Sequence, residues 1–357
     1  MSHARTLAFS AALLTGLMGC QSPAKKPSSP PPAGTASVGS GPASASPAAS
    51  PSVSQSQLRE RALEEIRAAS RNDDPAVRAN AMEAAGKAKG RLVSVVAKGL
   101  TDPNLGVRTV AAITVGRAGL KDLAESTRPL LADESPLVRT GAVFALTKNR
   151  AAVDPTPLAD LLLTGPTTRS RAQAAFLLGE IGNSSALPLL RQAMNQPIPG
   201  SGPDELKLFQ LQLAEAMVKL GDDAMRQSLR AALYPSRPEE LEAAALAAQI
   251  LGEIGDRSAV DQLVYLTEYR DPSGNTYPAE VRLAAAASLA KLGVRGGSFI
   301  PEQYLTNANP AVRAQVAFVY GNIGGAAGLS RLETLLSDAD ESVRVTAAYA
   351  VIRSAER

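Results

Sequence analysis

A single cysteine and a single histidine stand in 357 residues, Cys20 and His3, and both lie at the extreme N-terminus. These residue types carry most nucleophilic, proton-shuttling and zinc chemistry, so their placement bounds what the chain can do. His3 falls inside an apolar leader, and removal of that leader leaves no histidine for a Ser-His-Asp or Cys-His scheme. A phosphate loop of the Gly-x4-Gly-Lys-Ser/Thr kind is absent, and "GVRGGS" (293–298) lacks both the strand before it and the lysine after it. The acidic pairs Glu239-Glu240 and Asp340-Glu341 stand at predicted helix starts, where carboxylates complement the helix dipole, and are read as caps rather than as a glycosidase acid and base. "RDPSGNTY" (270–277) offers Asp271, Ser273, Asn275 and Thr276 as oxygen ligands but has neither the aspartate spacing nor the closing glutamate of a calcium loop. No catalytic residue, cofactor or metal is expected.

The leader gives Cys20 a role of another kind. Residues 1–19 contain Arg5 and then an apolar stretch from Leu7 to Leu17, the form of a secretory signal peptide and too short for a stable membrane span. Three fates are open to Cys20: acylation, an ordinary cleaved signal ending near it, or an uncleaved leader with an idle thiol. Leu17-Met18-Gly19-Cys20 resembles the lipobox of bacterial lipoproteins, which implies a diacylglycerated Cys20 as the new N-terminus, with Met18 an unusual occupant of its position. Two or three acyl chains, at about 0.8 kcal/mol per buried methylene, anchor a protein stably. Gln21 is not the aspartate that retains such proteins in the inner membrane, so the resemblance further implies the outer membrane, facing the periplasm. Residues 20–55 consist almost wholly of Ser, Pro, Ala, Gly, Thr, Val and Lys and are expected to form a disordered tether, spanning roughly 30 to 35 Å as a coil.

The remainder, 56–357, is Ala- and Leu-rich, has no Trp and carries a small excess charge (+3 for the whole chain). That excess lacks the clustered basic stripe of a nucleic-acid binder, and the pair Lys25-Lys26 is read as a solvated linker charge. An arginine recurs at 78, 108, 139, 171, 282, 313 and 344 with apolar residues following at helical spacing, and Gln210 and Ala244 fill the two gaps. The intervals are then 30, 31, 32, 39, 34, 38, 31 and 31, which gives nine registers with loop insertions at "PIPGSGPDE" and "RDPSGNTYP". Each unit reads as a cap such as Asp74-Pro75 or Glu134-Ser135-Pro136, an Ala-rich helix, a stop such as Gly119, Gly182, Gly255 or Gly293, and a second amphipathic helix.

These units resemble the HEAT-like repeats of the phycobilisome-lyase type. The resemblance implies an all-α fold, an α-solenoid of stacked helix pairs, and a structural ladder through Arg78, Arg108, Arg139, Arg171, Arg282, Arg313 and Arg344 with preceding acids such as Asp102 and Asp133. A guanidinium suits that role because its planar fork holds an acid and a carbonyl together. Nine pairs stacked at about 8 to 10 Å per layer predict a curved rod roughly 80 to 100 Å long.

Outside the repeat pattern, aromatic residues gather in the last third: Tyr265, Tyr269, Tyr277, Phe299, Tyr304, Phe318 and Tyr320. Most are read as packing, with Tyr265 and Tyr269, four apart on a second helix, the first choice for an exposed partner-binding pair. The expected function is a non-catalytic, membrane-anchored scaffold that binds an envelope protein or peptide. The alternatives are an envelope spacer without a specific ligand and an enzyme like the bilin lyases or isomerases that share this repeat type.

Overall fold

The computed structural model of the chain describes residues 54–88 and 90–354. The expected signal peptide, Cys20 and all but the last two residues of the tether lie outside them. Among the described residues there are seventeen α-helices and no strand. Numbered in chain order, nine form an inner layer: α2 (Pro75–Gly86), α4 (Leu105–Arg117), α6 (Pro136–Lys148), α8 (Thr168–Ile181), α10 (Pro203–Lys219), α12 (Leu241–Glu253), α14 (Ala279–Lys291), α15 (Pro310–Ile323) and α17 (Glu341–Ser354). The outer layer comprises α1 (Gln55–Ala69), α3 (Val93–Gly99), α5 (Lys121–Ala124) with the 3₁₀ turn Glu125–Ala132, α7 (Thr156–Thr164), α9 (Leu187–Met194), α11 (Met225–Ala231), α13 (Val260–Glu268), the 3₁₀ turn Pro301–Tyr304 and α16 (Gly325–Leu335). This is the HEAT-like helical architecture that the repeat pattern predicts.

Local chemistry sets the helix ends. Asp74 accepts the Ala76 N–H at 2.8 Å, and Pro75 supplies a preset φ in the first turn of α2. Ser54 and Gln57 form a reciprocal capping box that starts α1 at Gln55, one residue before the predicted domain start. Ser135 departs from expectation. It occupies the cap position of α6 without a side-chain bond, and its N–H instead donates to Asp133 at 2.9 Å. Gly182 ends α8 with φ 83°, whereas Arg150 takes φ 65° after α6 without being a glycine.

The solenoid is a closed ring, not the predicted rod. Each inner helix packs on the next, and α17, the last, packs on both α1 and α2, the first two helices of the fold. One continuous apolar cluster runs across this seam, with Leu58, Leu63 and Ile66 of α1 packed in the same core as Val343, Val351 and Ile352 of α17. The N-terminal helix therefore serves as the outer partner of the C-terminal inner helix. Polar contacts fix the register: Arg344 Nε donates to Glu65 at 2.7 Å, and Arg61 Nη2 donates to the Leu336 carbonyl at 3.3 Å and to Ser337 Oγ at 2.7 Å. A repeat count does not encode the angle between successive units, and closure of nine units corresponds to a mean turn of about 40° each.

Small residues permit the tight inner layer. A Cβ on Gly252 would lie 2.8 Å from the Ser288 Cα of α14, and one on Gly321 would lie 2.7 Å from the Ala350 Cβ of α17. Because all inner helices run in one direction, their N-termini share one rim of the ring and their C-termini the other.

Candidate binding surfaces

The seven arginines of the repeat occupy the rim of inner-helix N-termini, and the best-formed rungs have a two-sided geometry. Arg108 Nη1 donates to the carbonyl of Asp102 in its own repeat at 2.9 Å, while Nε and Nη2 grip the Asp133 carboxylate of the next repeat at 2.8 and 3.2 Å. Arg78 does the same with the Asn72 carbonyl and Asp102, and Arg313 with the Asn307 carbonyl and Asp338. The acids six residues before Arg108, Arg139 and Arg344 thus serve the preceding arginine through the carboxylate and their own arginine through the carbonyl. Burial raises Asp102 and Asp133, but the paired guanidinium and a backbone N–H outweigh it and hold both carboxyls below the usual range.

The other rungs differ. Arg344 reaches Glu65 of α1 across the seam. Arg139 bonds the carbonyls of Asp133 and Glu134 but no carboxylate, because Gly165 stands where the next acid would be. Arg171 is 5% exposed and donates Nε to the Gly165 carbonyl, and Arg282 donates to the Thr267 carbonyl, Gln303 and Tyr304. A continuous acid ladder therefore stops after α6 and resumes at α15. Gln210 and Ala244 lie in that gap.

At the opposite ends of the inner helices the structure assembles a charged lumen that sequence reasoning missed. Nine residues after each repeat register stand Lys87, Arg117, Lys148, Glu180, Lys219, Glu253, Lys291, Asn322 and Arg353, near the ends of consecutive inner helices. Four residues earlier, in five of these helices, the same face carries Glu83 and Glu215, Phe176, Phe318 and Tyr349. Lys219 Nζ lies 2.7 Å from both Glu180 and Glu215, and Arg117 lies 3.5 Å from Glu83 and from Glu180, two inner helices away. Lys291 pairs with Glu253, and Arg353 with Asn322. Two rings line this network. Arg117 and Lys219 lie over Phe176 at 5.6 and 5.3 Å, and Lys291 and Arg353 lie over Phe318 at 5.0 and 5.6 Å. Phe318, read from sequence as core packing, does pack against the core and in addition faces these cations.

Burial sets the protonation of the lumen. It drives Glu83 and Glu215 above the usual carboxylate value despite Arg117 and Lys219. For Glu180 and Glu253 burial acts the same way, but Lys219 and Lys291 respectively outweigh it and hold both low. Lys291 is itself pushed down by burial, only partly offset by Glu253. The signal that could have exposed this network was a charged or amide residue two positions before each terminal glycine, as in "GRAG", "GEIG", "VKLG" and "GNIG". Without closure those residues read as ordinary charged helix ends.

Tyr265 and Tyr269 sit on the outer layer and touch each other. Tyr265, on α13, is 45% exposed, and Tyr269 stands just past the helix end with its ring 5.4 Å from that of Tyr265. Tyr277, from the following loop, stacks on Tyr269 at 4.4 Å and extends the pair to three rings. Tyr234 after α11 and Phe299 before the Pro301–Tyr304 turn are exposed on the outer elements to either side, so exposed aromatics occupy three consecutive outer positions. Two other members of the aromatic set are tied inward: Tyr304 accepts from Arg282 at 2.7 Å, and Tyr320 donates to Glu302 at 2.5 Å.

The loop beside the trio uses its own oxygens. Asp271 accepts the N–H groups of Ser273 and Asn275 at 2.9 and 2.8 Å and the Asn275 side-chain amide at 2.9 Å. Among the described residues no group of three or more His, Cys, Asp or Glu is placed to hold a metal ion, and no helix is long and apolar enough to cross a membrane.

No protein-family model matches the sequence, and no curated protein matches it either. Among solved structures, human deoxyhypusine hydroxylase in complex with glycerol is 21% identical, covering 75% of this chain and 98% of its own, with a TM-score of 0.38. The complex of CpcE and CpcF of phycocyanin lyase from Nostoc sp. PCC7120 is 17% identical, covering 78% of this chain and 96% of its own, with a TM-score of 0.42.

Proposed function

We propose that the protein is a non-catalytic adaptor, held at a bacterial envelope membrane by an acylated Cys20, that captures a protein or peptide on the outer face of its ring at Tyr265 and Tyr269. The observation that carries this reading is the Tyr265-Tyr269-Tyr277 stack, in which Tyr265 is exposed and the other two rings are half-buried, flanked by exposed Tyr234 and Phe299 on the neighbouring outer elements. Aromatic rings offer large contact area at low rotamer cost and dominate the energetics of recognition surfaces. The lumen, by contrast, is occupied by side chains that already pair with one another. A passive spacer would need a stable ring and an anchor but no such surface.

Cross-linking of envelope fractions tests the reading. The wild-type chain is expected to capture a discrete partner, and Tyr265→Ala with Tyr269→Ala to lose that capture at least tenfold while keeping the wild-type circular dichroism. Acyl labelling of the wild type and its loss in Cys20→Ser tests the anchor. Capture unchanged by the tyrosine variants overturns the surface assignment, and a new absorbance band on incubation with a bilin overturns the non-catalytic one.

A further inference from the structure

The rim formed by the inner-helix C-termini carries its charge unevenly. From α2 through α6 it presents Arg91, Lys121, Lys148 and Arg150, all exposed, with Lys87 half-buried among them. Asp122 and Asp154 are the exposed acids in the same turns, and Glu60 and Arg91 offset each other in a bidentate pair at 2.7 and 2.9 Å. The opposite rim begins its inner helices with acids such as Asp73, Glu134, Asp204, Glu239 and Glu341. The opposite rim has exposed cations too, Lys98 and Lys207 among them, and the sector from α2 to α6 is set apart by Lys121, Lys148 and Arg150 standing together.

The chain enters the ring at that same sector. Helix α1 runs opposite to α2. Its first half meets Arg91 in the turn after α2, and the residue beyond its far end, Asn72, pairs with Glu341 at the start of α17. Gln55, where all preceding residues join the fold, consequently lies on the basic rim. A membrane anchor at Cys20 would approach the ring from this side.

We propose that the basic sector of this rim lies against an anionic phospholipid surface, so that the ring stands with its C-terminal rim toward the membrane. The orientation rests on the acylation of Cys20 given above, but the affinity of the rim for lipid does not and can be measured without it. A row of lysines and arginines near an anionic bilayer gains favourable electrostatic energy within a Debye length of the surface. The acyl anchor supplies the high local concentration that makes such a weak contact effective. The outer face bearing Tyr265 stays clear of the bilayer edge-on and open to a partner.

The test uses the chain from residue 20 onward with Cys20→Ser, so that neither acyl chains nor the apolar leader contribute. It is sedimented with vesicles of phosphatidylcholine alone and with vesicles containing about one-third phosphatidylglycerol. The expected result is sedimentation with the anionic vesicles only, reversed when salt is raised from about 0.05 M to about 0.5 M. Lys121→Glu with Arg150→Glu is expected to lower the vesicle partition about tenfold or more. Lys98→Glu with Lys207→Glu makes the same change in net charge on the opposite rim and is expected to alter it less than about twofold.

An equal loss in both double variants would show that net charge alone acts, and overturns the proposal. So does the absence of binding to anionic vesicles by a chain whose circular dichroism is that of the folded ring. Retention on an immobilised acidic protein without vesicle binding assigns the rim to a protein partner and overturns it as well. Partner capture through Tyr265 and Tyr269 is read separately, so failure here leaves the proposed function standing.

Discussion

Glu215 is a carboxylate with a lysine one helical turn away, an arrangement common on helix surfaces, yet it is 3% exposed and faces the lumen. Its folded-state pKa is raised by burial, so above that value the charged carboxylate carries its full burial cost. As pH falls through the raised value the folded ring takes up the proton before the unfolded chain does, and this residue's contribution to stability increases. The gain is complete below the ordinary value of 4.5. Glu180 and Glu253, held low by their lysines, act in the opposite sense, and their stabilisation is lost only below that range. Glu215→Gln has no proton to take up, and Lys219 keeps Glu180 as its partner. At neutral pH the variant is expected to equal the wild type or exceed it by up to about 1 kcal/mol. The wild type should then gain relative to it as pH falls from neutral toward the ordinary value of 4.5, read from urea midpoints at each pH. A pH-independent difference between the two chains would refute the assignment. At this scale the sequence was legible where partners repeat along the chain, as with Arg78, Arg108 and Arg313, whose acids follow them by 24 or 25 positions. It was not legible for Glu215, whose burial depends on helices brought in from across the ring.

At the scale of elements, the helices, their caps and their glycine stops were readable because each depends on residues within a turn of itself, Asp74 with Ala76 and Gly182 with Leu178 being examples. Less readable was a second class of glycine. Gly116, Gly179, Gly252 and Gly321 stand eight residues after their register positions, inside helices, where their low helix propensity gives no obvious benefit. Each faces the next inner helix at a distance that excludes a side chain: Gly179 lies against the Ala216 Cα and Gly252 against Ser288. Gly252→Ala separates the two effects. Helix propensity alone predicts stabilisation by up to about 1 kcal/mol. The approach of α12 to α14 instead predicts a net loss of about 1 to 3 kcal/mol, since the Ser288 backbone must move. Thermal or urea denaturation of the variant decides between them, and a stabilised variant would show that the helices can part without cost.

The whole molecule is where sequence reasoning failed, and the reason is geometric. Nine similar units specify nine helix pairs, but a rod and a ring differ only by the small rotation between neighbours, which accumulates to closure. Closure in turn depends on one element, α1, whose Leu63 and Ile66 are fully buried against helices from the other end of the chain. Leu63→Asp with Ile66→Asp is expected to release α1 and open the ring. Small-angle scattering should then report a larger radius of gyration with helical content nearly retained, since most inner contacts are between neighbours. An unchanged radius in a folded variant would mean that the α17–α2 contact suffices to close the ring.

The seam also imposes an order on assembly. Arg344 and Glu65 are separated by 279 positions, and Arg61 and Ser337 by 276. Among the described residues helix α1 is synthesised first, and its apolar face is covered only once α17 has followed. Contacts this distant in sequence are made late, after the local helix pairs have formed. A chain interrupted anywhere before Glu341 is left with the Leu58-Leu63-Ile66 stripe of α1 uncovered on the side that α17 occupies in the ring.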